Sequence, residues 1–523
     1  MSNRMNPFSC AVLSSAVLLA LAGCGAEAPA PAPAAAGSSS SSAASAASSS
    51  ASAATAAGSS SKGSTSNCLA VPFLSSSTPG QYGYTVPTDI ALTRQADANC
   101  FAWQQFLALN WQASKTTRGA PDTSVPASEF GTPGDQDFVV WETYKESDEV
   151  FLADAADPGS WNSWPAGPHV KVLGGMRGEI APQPTLDLSD FGQASSGSPW
   201  LTAQSGLLTL YERRMNEDEF NYIVNNKLYD ATVQQTFVVD PGINLPDGTE
   251  ASKAYGTTGA IETKAAWLEL PNSADWPRYK ISKATVTYPG QPPKDVVVGL
   301  VGLHIIHKTA LGQQFIWATF EHVDNAPDAN EVAAKKFDPP YTYFNPDCDP
   351  ATDHYQCVAN ANPTTANGGE KNNPLTAPIQ VVRTTPIASR PNDDVVGLNQ
   401  YVWSQVIAPA NPDSVYLNYQ LVNTLWSNQS TPVAAGSRTP LPTPQLSPGA
   451  DQEPVANTTL ETYVQQLTCL DCHASAPMAS VTAPTSTRIF KLGSAPAATN
   501  PYGADYSFLL DNAQSPTASQ GNH

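Results

Sequence analysis

The segment VVVGLVGLHIIH, residues 296–307, is the main evidence for the fold class. Apolar residues occupy both sets of alternating positions in this run, a pattern typical of a strand that is buried on both faces. Three further strand-like segments lie around it, at residues 261–270, 279–288 and 314–323, with Gly, Pro and Asn clusters between them. The series predicts an antiparallel sheet at the centre of the chain.

Helical patterns flank this series of strands. Trp103, Phe106 and Leu109 recur near helical spacing, which predicts a buried helix over residues 100–111. Further helices are predicted over residues 217–228, 398–407, 414–426 and 458–467. The predicted fold class is therefore α+β: a β-rich body with an antiparallel sheet and several packed helices, followed by a short helical segment at the C-terminal end.

A pentapeptide near the C-terminus carries the most specific chemistry. It is Cys469-Leu470-Asp471-Cys472-His473, and its spacing is that of a covalent attachment site for c-type haem. The two thiols add to the haem vinyl groups, and the adjoining imidazole becomes the proximal ligand of the iron. A structural disulfide is one alternative. A metal site is another, although the chain offers no second ligand pair at similar spacing. The sequence predicts one covalent haem c.

The second axial ligand of such an iron must come from elsewhere in the chain. His304 lies in the central predicted strand and is the first candidate, and His322, at the end of the next strand, is the weaker one. Strand alternation predicts that His307 points to the opposite face from His304. Met478 follows His473 by only five residues, too few to pass around the porphyrin edge. A water-bound or open iron is the remaining alternative.

The N-terminus predicts export. Arg4 precedes an apolar run over residues 11–21, which is typical of a signal peptide and too short to span a bilayer. The run ends in Leu21-Ala22-Gly23-Cys24, which resembles the bacterial lipobox. That resemblance implies removal of residues 1–23, lipid on Cys24, and delivery to the outer membrane facing the periplasm. An ordinary signal peptide with a chance cysteine is the alternative. The lipid would be the only contact with the membrane.

Composition divides the rest of the chain. Residues 24–67 are Ala, Ser, Pro and Gly almost throughout, which predicts a flexible linker because such a segment has little apolar surface to bury. A globular body is predicted over residues 68–455, with a Pro/Asn-rich insertion at about 325–396, and residues 456–523 form the haem attachment segment.

Four cysteines remain for the body of an exported protein: Cys68, Cys100, Cys348 and Cys357. An oxidising compartment favours their pairing as two disulfides. Three pairings are possible. We favour the local one, Cys68 with Cys100 and Cys348 with Cys357, because residues 347–356 are short and rich in turn formers.

Charge excludes some partners. The chain of 523 residues has a formal net charge of −20 at pH 7, which would repel nucleic acid and anionic lipid. An acidic surface attracts a basic partner instead. Neither a nucleophile elbow nor a phosphate-binding loop is present in the sequence.

Several stretches together resemble bacterial periplasmic proteins of the kind labelled "cytochrome c family protein", with a large N-terminal body and one C-terminal CxxCH. They are residues 101–111, 301–305, 317–325, 419–423 and 469–473. The resemblance implies covalent haem in the cell envelope and does not imply a particular reaction.

We therefore expect a periplasmic monohaem c-type cytochrome lipoprotein that transfers electrons to or from a redox partner protein or a small-molecule donor or acceptor. Two alternatives stay open, because a haem motif names the cofactor and leaves the reaction to the pocket. One is a haem-dependent oxidoreductase, peroxidase-like or oxidising a small substrate. The other is a haem-based binding or sensing module.

Overall fold

The computed structural model describes residues 83–163, 171–173, 199–238, 241–249, 253–288, 291–337, 340–349, 351, 357–363, 375–391, 393–427, 454–473, 476–479, 481 and 503–516. The predicted signal peptide, the lipid-bearing Cys24, the linker and Cys68 lie outside these residues. Within them, every helix is too short or too polar to cross a membrane.

An antiparallel sheet forms the centre of the described chain. Eight strands belong to it, in the order β1-β3-β4-β6-β5-β2, with β7 paired to β6 and β10 paired to β7. Two further strands, β8 and β9, pair only with each other. The strands are β1 (Lys145–Glu146), β2 (Lys171–Leu173), β3 (Thr209–Met215), β4 (Ile261–Glu269), β5 (Ile281–Val286), β6 (Lys294–His307), β7 (Ile316–His322), β8 (Ser389–Arg390), β9 (Asp393–Asp394) and β10 (Tyr419–Trp426).

The strand predicted to be central, β6, lies in the middle of the sheet. At 14 residues β6 is long enough to pair with β4 on one side and with two shorter strands on the other. Its first half pairs with β5 and its second half with β7. These pairs are antiparallel, whereas β2 runs parallel to β5. The prediction of an α+β fold around an antiparallel sheet is confirmed.

Seven α-helices and several shorter turns surround the sheet in the described part. The helices are α1 (Gln95–Leu109), α2 (Ser147–Val150), α3 (Glu217–Asn225), α4 (Ala231–Phe237), α5 (Ala329–Ala334), α6 (Val395–Tyr401) and α7 (Cys469–His473). A π-helical turn, Val402–Ile407, continues α6. The 3₁₀ turns are Ala127–Glu129, Val140–Thr143, Ala153–Ala155, Trp276–Arg278, Val415–Asn418 and Leu509–Asn512.

One face of the sheet, which we call the helix face, packs against α1. The ring of Phe106 lies 4.4 Å from that of Phe320 on β7, and Trp103 meets the same ring edge-on at 5.1 Å. Phe101 stacks on His307 at 5.6 Å. The helix predicted over residues 100–111 is thus confirmed, with a start five residues earlier.

The opposite face, which we call the C-terminal face, is covered by residues 454–473 and 503–510. Asn457 donates from Nδ2 to the Thr319 hydroxyl at 3.1 Å, and the Tyr211 hydroxyl donates to the carbonyl of Thr459 at 2.9 Å. Gly302 faces Thr459 so closely that a Cβ atom would collide with its hydroxyl. Glycine therefore lets this segment lie directly on β6.

The helix predicted over residues 414–426 is wrong. The chain forms a 3₁₀ turn, Val415–Asn418, and then strand β10, which pairs with β7. Tyr419 and Leu421 are buried on one side of the strand, and a bulge between Leu421 and Asn423 keeps Leu425 buried as well. Pairing with the open edge of β7 outweighs local helical spacing, because strand preference depends on neighbouring strands.

The helix predicted over residues 458–467 is also wrong, since this segment forms consecutive turns. Asn457 accepts from the Thr459 amide at 2.9 Å, and the Thr458 amide donates to Glu321 of the sheet at 3.0 Å. Asn and Thr side chains that bond to nearby backbone compete with helix formation.

The predicted insertion at about 325–396 is only partly peripheral. Tyr343 and Val381 are fully buried in a second apolar cluster beside the sheet, so this stretch contributes to the core. The disulfide predicted between Cys348 and Cys357 is confirmed. Cys100, the described member of the other predicted pair, is disulfide-bonded.

Candidate functional site

The cysteine pentapeptide forms one helical turn, α7, on the C-terminal face. Thr468 begins the turn and donates from its amide and hydroxyl to the Asp471 carboxylate, at 2.7 and 2.8 Å. Asp471 in return donates its amide to the Thr468 hydroxyl at 3.3 Å. This is the reciprocal arrangement of a capping box. Leu470 is buried in the core, so the two residues between the cysteines anchor the turn from inside and outside.

The two cysteine side chains are half-buried, and neither belongs to a disulfide. The structure therefore does not contain the disulfide between Cys469 and Cys472 that was the alternative to haem attachment. Burial raises the pKa of the Cys472 thiol to about 11 and that of Cys469 further above its usual range. Both groups are thus protonated thiols at neutral pH.

His473 is fixed through one ring nitrogen. Its Nδ1 lies 2.8 Å from the carbonyl oxygen of Tyr506, and because a carbonyl can only accept, Nδ1 must carry the proton. No described residue hydrogen-bonds to Nε2, which holds the lone pair. Burial lowers the pKa of His473 to about 4, so the ring is neutral at neutral pH. Metal-binding histidines commonly show this arrangement, with the distant N–H donated to a carbonyl.

Aromatic rings hold the same imidazole in place. The ring of Trp317, from β7, lies 4.4 Å from the His473 ring, and that of Phe508 lies 4.8 Å from it. The carbonyl of Tyr506 is oriented by two successive left-handed residues, Asp505 with φ 51° and Tyr506 with φ 69°. Non-glycine residues rarely adopt this conformation, and where they do the surrounding contacts must hold it.

His304, the first predicted second ligand, lies near the pentapeptide on the C-terminal face. Its Nε2 is 2.8 Å from a carboxylate oxygen of Glu461, and Lys264 stands opposite it on β4. The charges of His304, Lys264 and Glu461 all act on the His473 ring. Burial lowers the pKa of Lys264 to about 8, although Glu461 opposes that shift. The structure therefore places His304 and His473 on the same face of the sheet, and a ligand role for His304 stays a prediction.

His322 lies on the opposite side of the sheet from His304. Thr319 pairs with His304, and His322 is three positions further along β7, an odd number, so its side chain points to the other face. Its Nε2 donates to the Arg278 carbonyl at 2.9 Å, and its Nδ1 accepts from the Asp324 amide at 3.1 Å. Both ring nitrogens are therefore occupied. A ligand role for His322 stays a prediction that this geometry does not favour.

His307 also lies on the helix face, as strand alternation predicts. Its Nδ1 is 2.9 Å from the Gln105 side chain and its Nε2 is 2.7 Å from the Thr258 carbonyl. Across the described part of the chain, no three His, Cys, Asp or Glu side chains are grouped to hold a metal ion.

Neither a family model, a curated protein nor a solved structure matches the chain. The side chains of this site are therefore the basis of the proposed function.

The sequence prediction missed a buried ionisable cluster beside the pentapeptide. Glu219, in the first turn of α3, is fully buried, and its carboxyl group interacts with that of Glu262 on β4. Burial raises the pKa of Glu262 to about 7 and that of Glu219 well above its usual range. Next to them, Asp505 and Lys308 form a fully buried ion pair. The one available signal was Glu262 itself, a charged residue near the start of an apolar strand.

Proposed function

We propose that the protein is a monohaem c-type cytochrome that transfers single electrons. The observation that carries the proposal is the hydrogen bond from His473 Nδ1 to the Tyr506 carbonyl, which leaves Nε2 as the metal-binding atom. The adjacent cysteines support it, because both are thiols at the spacing that haem attachment needs.

The residues present fit a covalent haem. Cys469 and Cys472 would form the two thioether bonds, and His473 would be the proximal ligand. Bound haem would supply an iron that changes oxidation state by one electron. The chain's own contribution is orientation: Trp317 and Phe508 restrain the imidazole, and the carbonyl of Tyr506 increases its basicity.

His304 is our candidate for a second residue that would hold the iron. It shares the C-terminal face with the pentapeptide, and its charge acts on His473. Its Nε2 now contacts Glu461, so ligation would exchange that hydrogen bond for the iron.

One observation favours a second function, a haem-dependent oxidoreductase with an open iron. The His304–Glu461 pair beside Lys264 places proton-exchanging groups at the site, as general acid–base catalysis requires. A sensing module would use the same open position without turnover.

The location and partner follow from the sequence. We propose a lipoprotein anchored through Cys24 in the outer membrane and facing the periplasm, with residues 24–67 as its tether. The net charge of −20 favours a redox partner with a basic docking surface.

Absorption and low-temperature EPR spectra of the purified holoprotein, with and without CO, separate these functions. A carrier with His304 ligation gives a low-spin spectrum that ignores CO, and His304→Ala converts it to a high-spin, CO-binding form. His322→Ala is the matched control and leaves the spectrum unchanged. High-spin iron that binds CO in the unmodified protein would favour the oxidoreductase or sensor. A low-spin spectrum that survives His304→Ala would remove His304 as the ligand.

A further inference from the structure

The turn that brings the Tyr506 carbonyl to His473 has an unusual backbone. Asp505 has φ 51° and Tyr506 has φ 69°, a conformation that side chains disfavour. The Ser507 amide donates to the Ala504 carbonyl at 3.0 Å and closes the turn. Such backbone persists only where surrounding structure holds it. Contacts from outside the turn must therefore keep this carbonyl in place.

One such contact is a buried ion pair with the end of the sheet. Lys308 directly follows β6, and its Nζ bonds to Oδ2 of Asp505, with both side chains fully buried. The same Oδ2 accepts from the Leu245 amide at 2.8 Å. Lys308 Nζ also donates to the side-chain oxygen of Asn244 at 2.7 Å. Asp505 is thus bonded both to the end of β6 and to the neighbouring loop.

Lys308 is itself fixed by the sheet. Its amide donates at 2.9 Å to the carbonyl of Ala260, the residue before β4. The peptide bond after Asp505 leads to Tyr506, whose carbonyl oxygen lies 2.8 Å from His473 Nδ1. A short series of bonds therefore runs from the sheet to the imidazole, through Lys308 and Asp505.

The same turn is also bonded to the chain that leaves the pentapeptide. The Ala504 amide donates to the Ala476 carbonyl at 3.1 Å, and the Ala476 amide donates to the His473 carbonyl at 3.1 Å. Gly503 pairs with Pro477 in an antiparallel bridge. These bonds let the turn move together with His473, whereas the bond to Lys308 ties it to the sheet.

Stability alone is a poor explanation for a buried Lys–Asp pair, because apolar residues of similar volume in its place are often at least as stable. A buried ion pair can instead specify one arrangement of the chain. We propose that Lys308 and Asp505 are positioning residues, whose ion pair holds the Tyr506 carbonyl at His473 Nδ1 and so fixes the tautomer and orientation of the imidazole.

The redox consequence of this positioning rests on the proposed function. A hydrogen bond from the distant ring nitrogen to a carbonyl makes a histidine a more basic ligand. A more basic ligand favours the ferric state and lowers the midpoint potential of the iron. Loss of the ion pair should therefore weaken the hydrogen bond of His473 and raise the potential.

Lys308→Met/Asp505→Gly tests the proposal in the holoprotein. The net charge is unchanged, no buried charge is left unpaired, and glycine accepts a φ of 51°. The His473 Nδ1 proton, followed by NMR of the reduced protein with isotope-labelled histidine, should exchange about tenfold faster, as expected when one hydrogen bond is lost. The midpoint potential should rise by about 59 mV, which is a tenfold shift of a one-electron equilibrium.

Lys280→Met/Glu142→Gln is the matched control. Lys280 and Glu142 form another buried ion pair, at 3.0 Å, and Lys280 also donates to the Asp137 carbonyl at 2.9 Å. This variant should lose stability but keep the exchange rate of the His473 proton and the potential.

Asp505→Asn separates geometry from charge. Asparagine tolerates positive φ and keeps an oxygen that can accept from Lys308 and Leu245. The exchange rate of the His473 proton should therefore stay near that of the unmodified protein, although a negative charge is lost.

Three outcomes decide the inference. An unchanged exchange rate in Lys308→Met/Asp505→Gly overturns it, and so does an equal increase in the Lys280→Met/Glu142→Gln control. Should the first variant fail to fold, Lys308→Gln/Asp505→Asn replaces the ion pair with a weaker, neutral hydrogen bond and should give an intermediate rate. An unchanged rate in that variant overturns the inference as well.

A protein without covalent haem overturns the proposed function and leaves the positioning role testable in the same full-length chain. NMR of His473 should then show a proton on Nδ1 in the unmodified chain. Lys308→Met/Asp505→Gly should give a mixture of the two tautomers, and a pure Nδ1 tautomer in that variant contradicts the positioning role.

Discussion

The two faces of the sheet differ in what they bury, and β7 shows the difference within seven residues. Toward the C-terminal face, Trp317 contacts His473 and Glu321 bonds to Thr458. Toward the helix face, Phe320 packs against α1 and His322 stacks on Tyr279 at 4.1 Å. Along β7, side chains bonded to the C-terminal segments occupy the first face, and aromatic packing predominates on the second. We infer that chemistry belongs to the C-terminal face and stability chiefly to the helix face.

The histidines of β6 and β7 follow the same division. His307 and His322, on the helix face, have both ring nitrogens bonded within the protein. His473 has one ring nitrogen, Nδ1, bonded to a described residue, and His304 contacts a single carboxylate. Residue type alone therefore does not distinguish a structural histidine from a candidate ligand, whereas the number of bonded nitrogens does.

The largest expected effect concerns the ion pair that fixes residues 454–473 to the sheet. Arg383 pairs with Glu321 and donates to the Ala456 carbonyl at 3.2 Å, and both side chains are buried. Arg383→Met leaves the Glu321 carboxylate buried without its cation, which should lower the free energy of unfolding by about 3–5 kcal/mol. Urea unfolding measures this loss, and the haem spectrum should change because the covering segment loosens.

Two controls isolate that effect. Arg278→Met removes a half-exposed partner of Asp324 and should cost at most about 1 kcal/mol. Phe320→Ala should cost about 3–5 kcal/mol as well, since it opens a cavity on the helix face. Its haem spectrum, however, should match the unmodified protein. If the haem spectrum changed in Phe320→Ala but not in Arg383→Met, the assignment of chemistry to the C-terminal face would be contradicted.

The second prediction uses pH, because the buried histidines and Glu262 respond in opposite directions. Burial lowers the pKa of His307 and His322 from 6.5 to about 4, so below pH 6.5 the unfolded chain binds protons that the folded chain refuses. Stability should fall between pH 6.5 and 4, by about 3 kcal/mol per histidine. For Glu262 the pKa is raised from 4.5 to about 7, so its contribution is present below 4.5 and is lost as pH rises through 7.

Urea unfolding over a pH series measures both limbs. Combined His307→Gln and His322→Gln should reduce the acidic limb, to which His473 also contributes, and leave the alkaline one. Glu262→Gln should reduce the alkaline limb and leave the acidic one. If one variant reduced both limbs, the assignment of opposite signs to the histidines and to Glu262 would be wrong.

The smallest expected effect is local to the pentapeptide. Thr468→Ala removes the hydroxyl that caps α7 and should cost about 1 kcal/mol. Thr132→Ala, which removes an exposed hydroxyl bonded within its own turn, is the control. Hydrogen exchange should show faster opening of residues 469–473 in the first variant only. Equal exchange in both would show that the cap does not hold the turn.

Much of the sheet could be predicted because the middle of β6 is buried on both sides and residues 296–303 therefore form an unbroken apolar run. Strand β10 could not, because its conformation depends on pairing with β7, about a hundred residues earlier in the sequence. The turns after Asn457 likewise depend on Glu321, which bonds to Thr458. Local spacing carries no information about such partners.

The candidate site likewise contains residues that the sequence predicts and residues that only the fold brings together. Cys469, Cys472 and His473 form a local motif that the sequence displays directly. The contact between His304 and Glu461 joins residues 157 positions apart, and the Glu219–Glu262 pair joins a helix to a strand. In the sequence, two glutamates that the fold buries side by side look the same as two that stay in solvent.

The decisive measurement is the mass and haemochrome spectrum of the proteolytic peptide that contains residues 469–473, taken from protein exported in a host that matures c-type cytochromes. We predict one haem attached through both Cys469 and Cys472, and its loss in the Cys469→Ser/Cys472→Ser variant. An unmodified peptide with two thiols or an internal disulfide, and no haemochrome, would contradict the proposal that this face of the sheet holds a covalent haem.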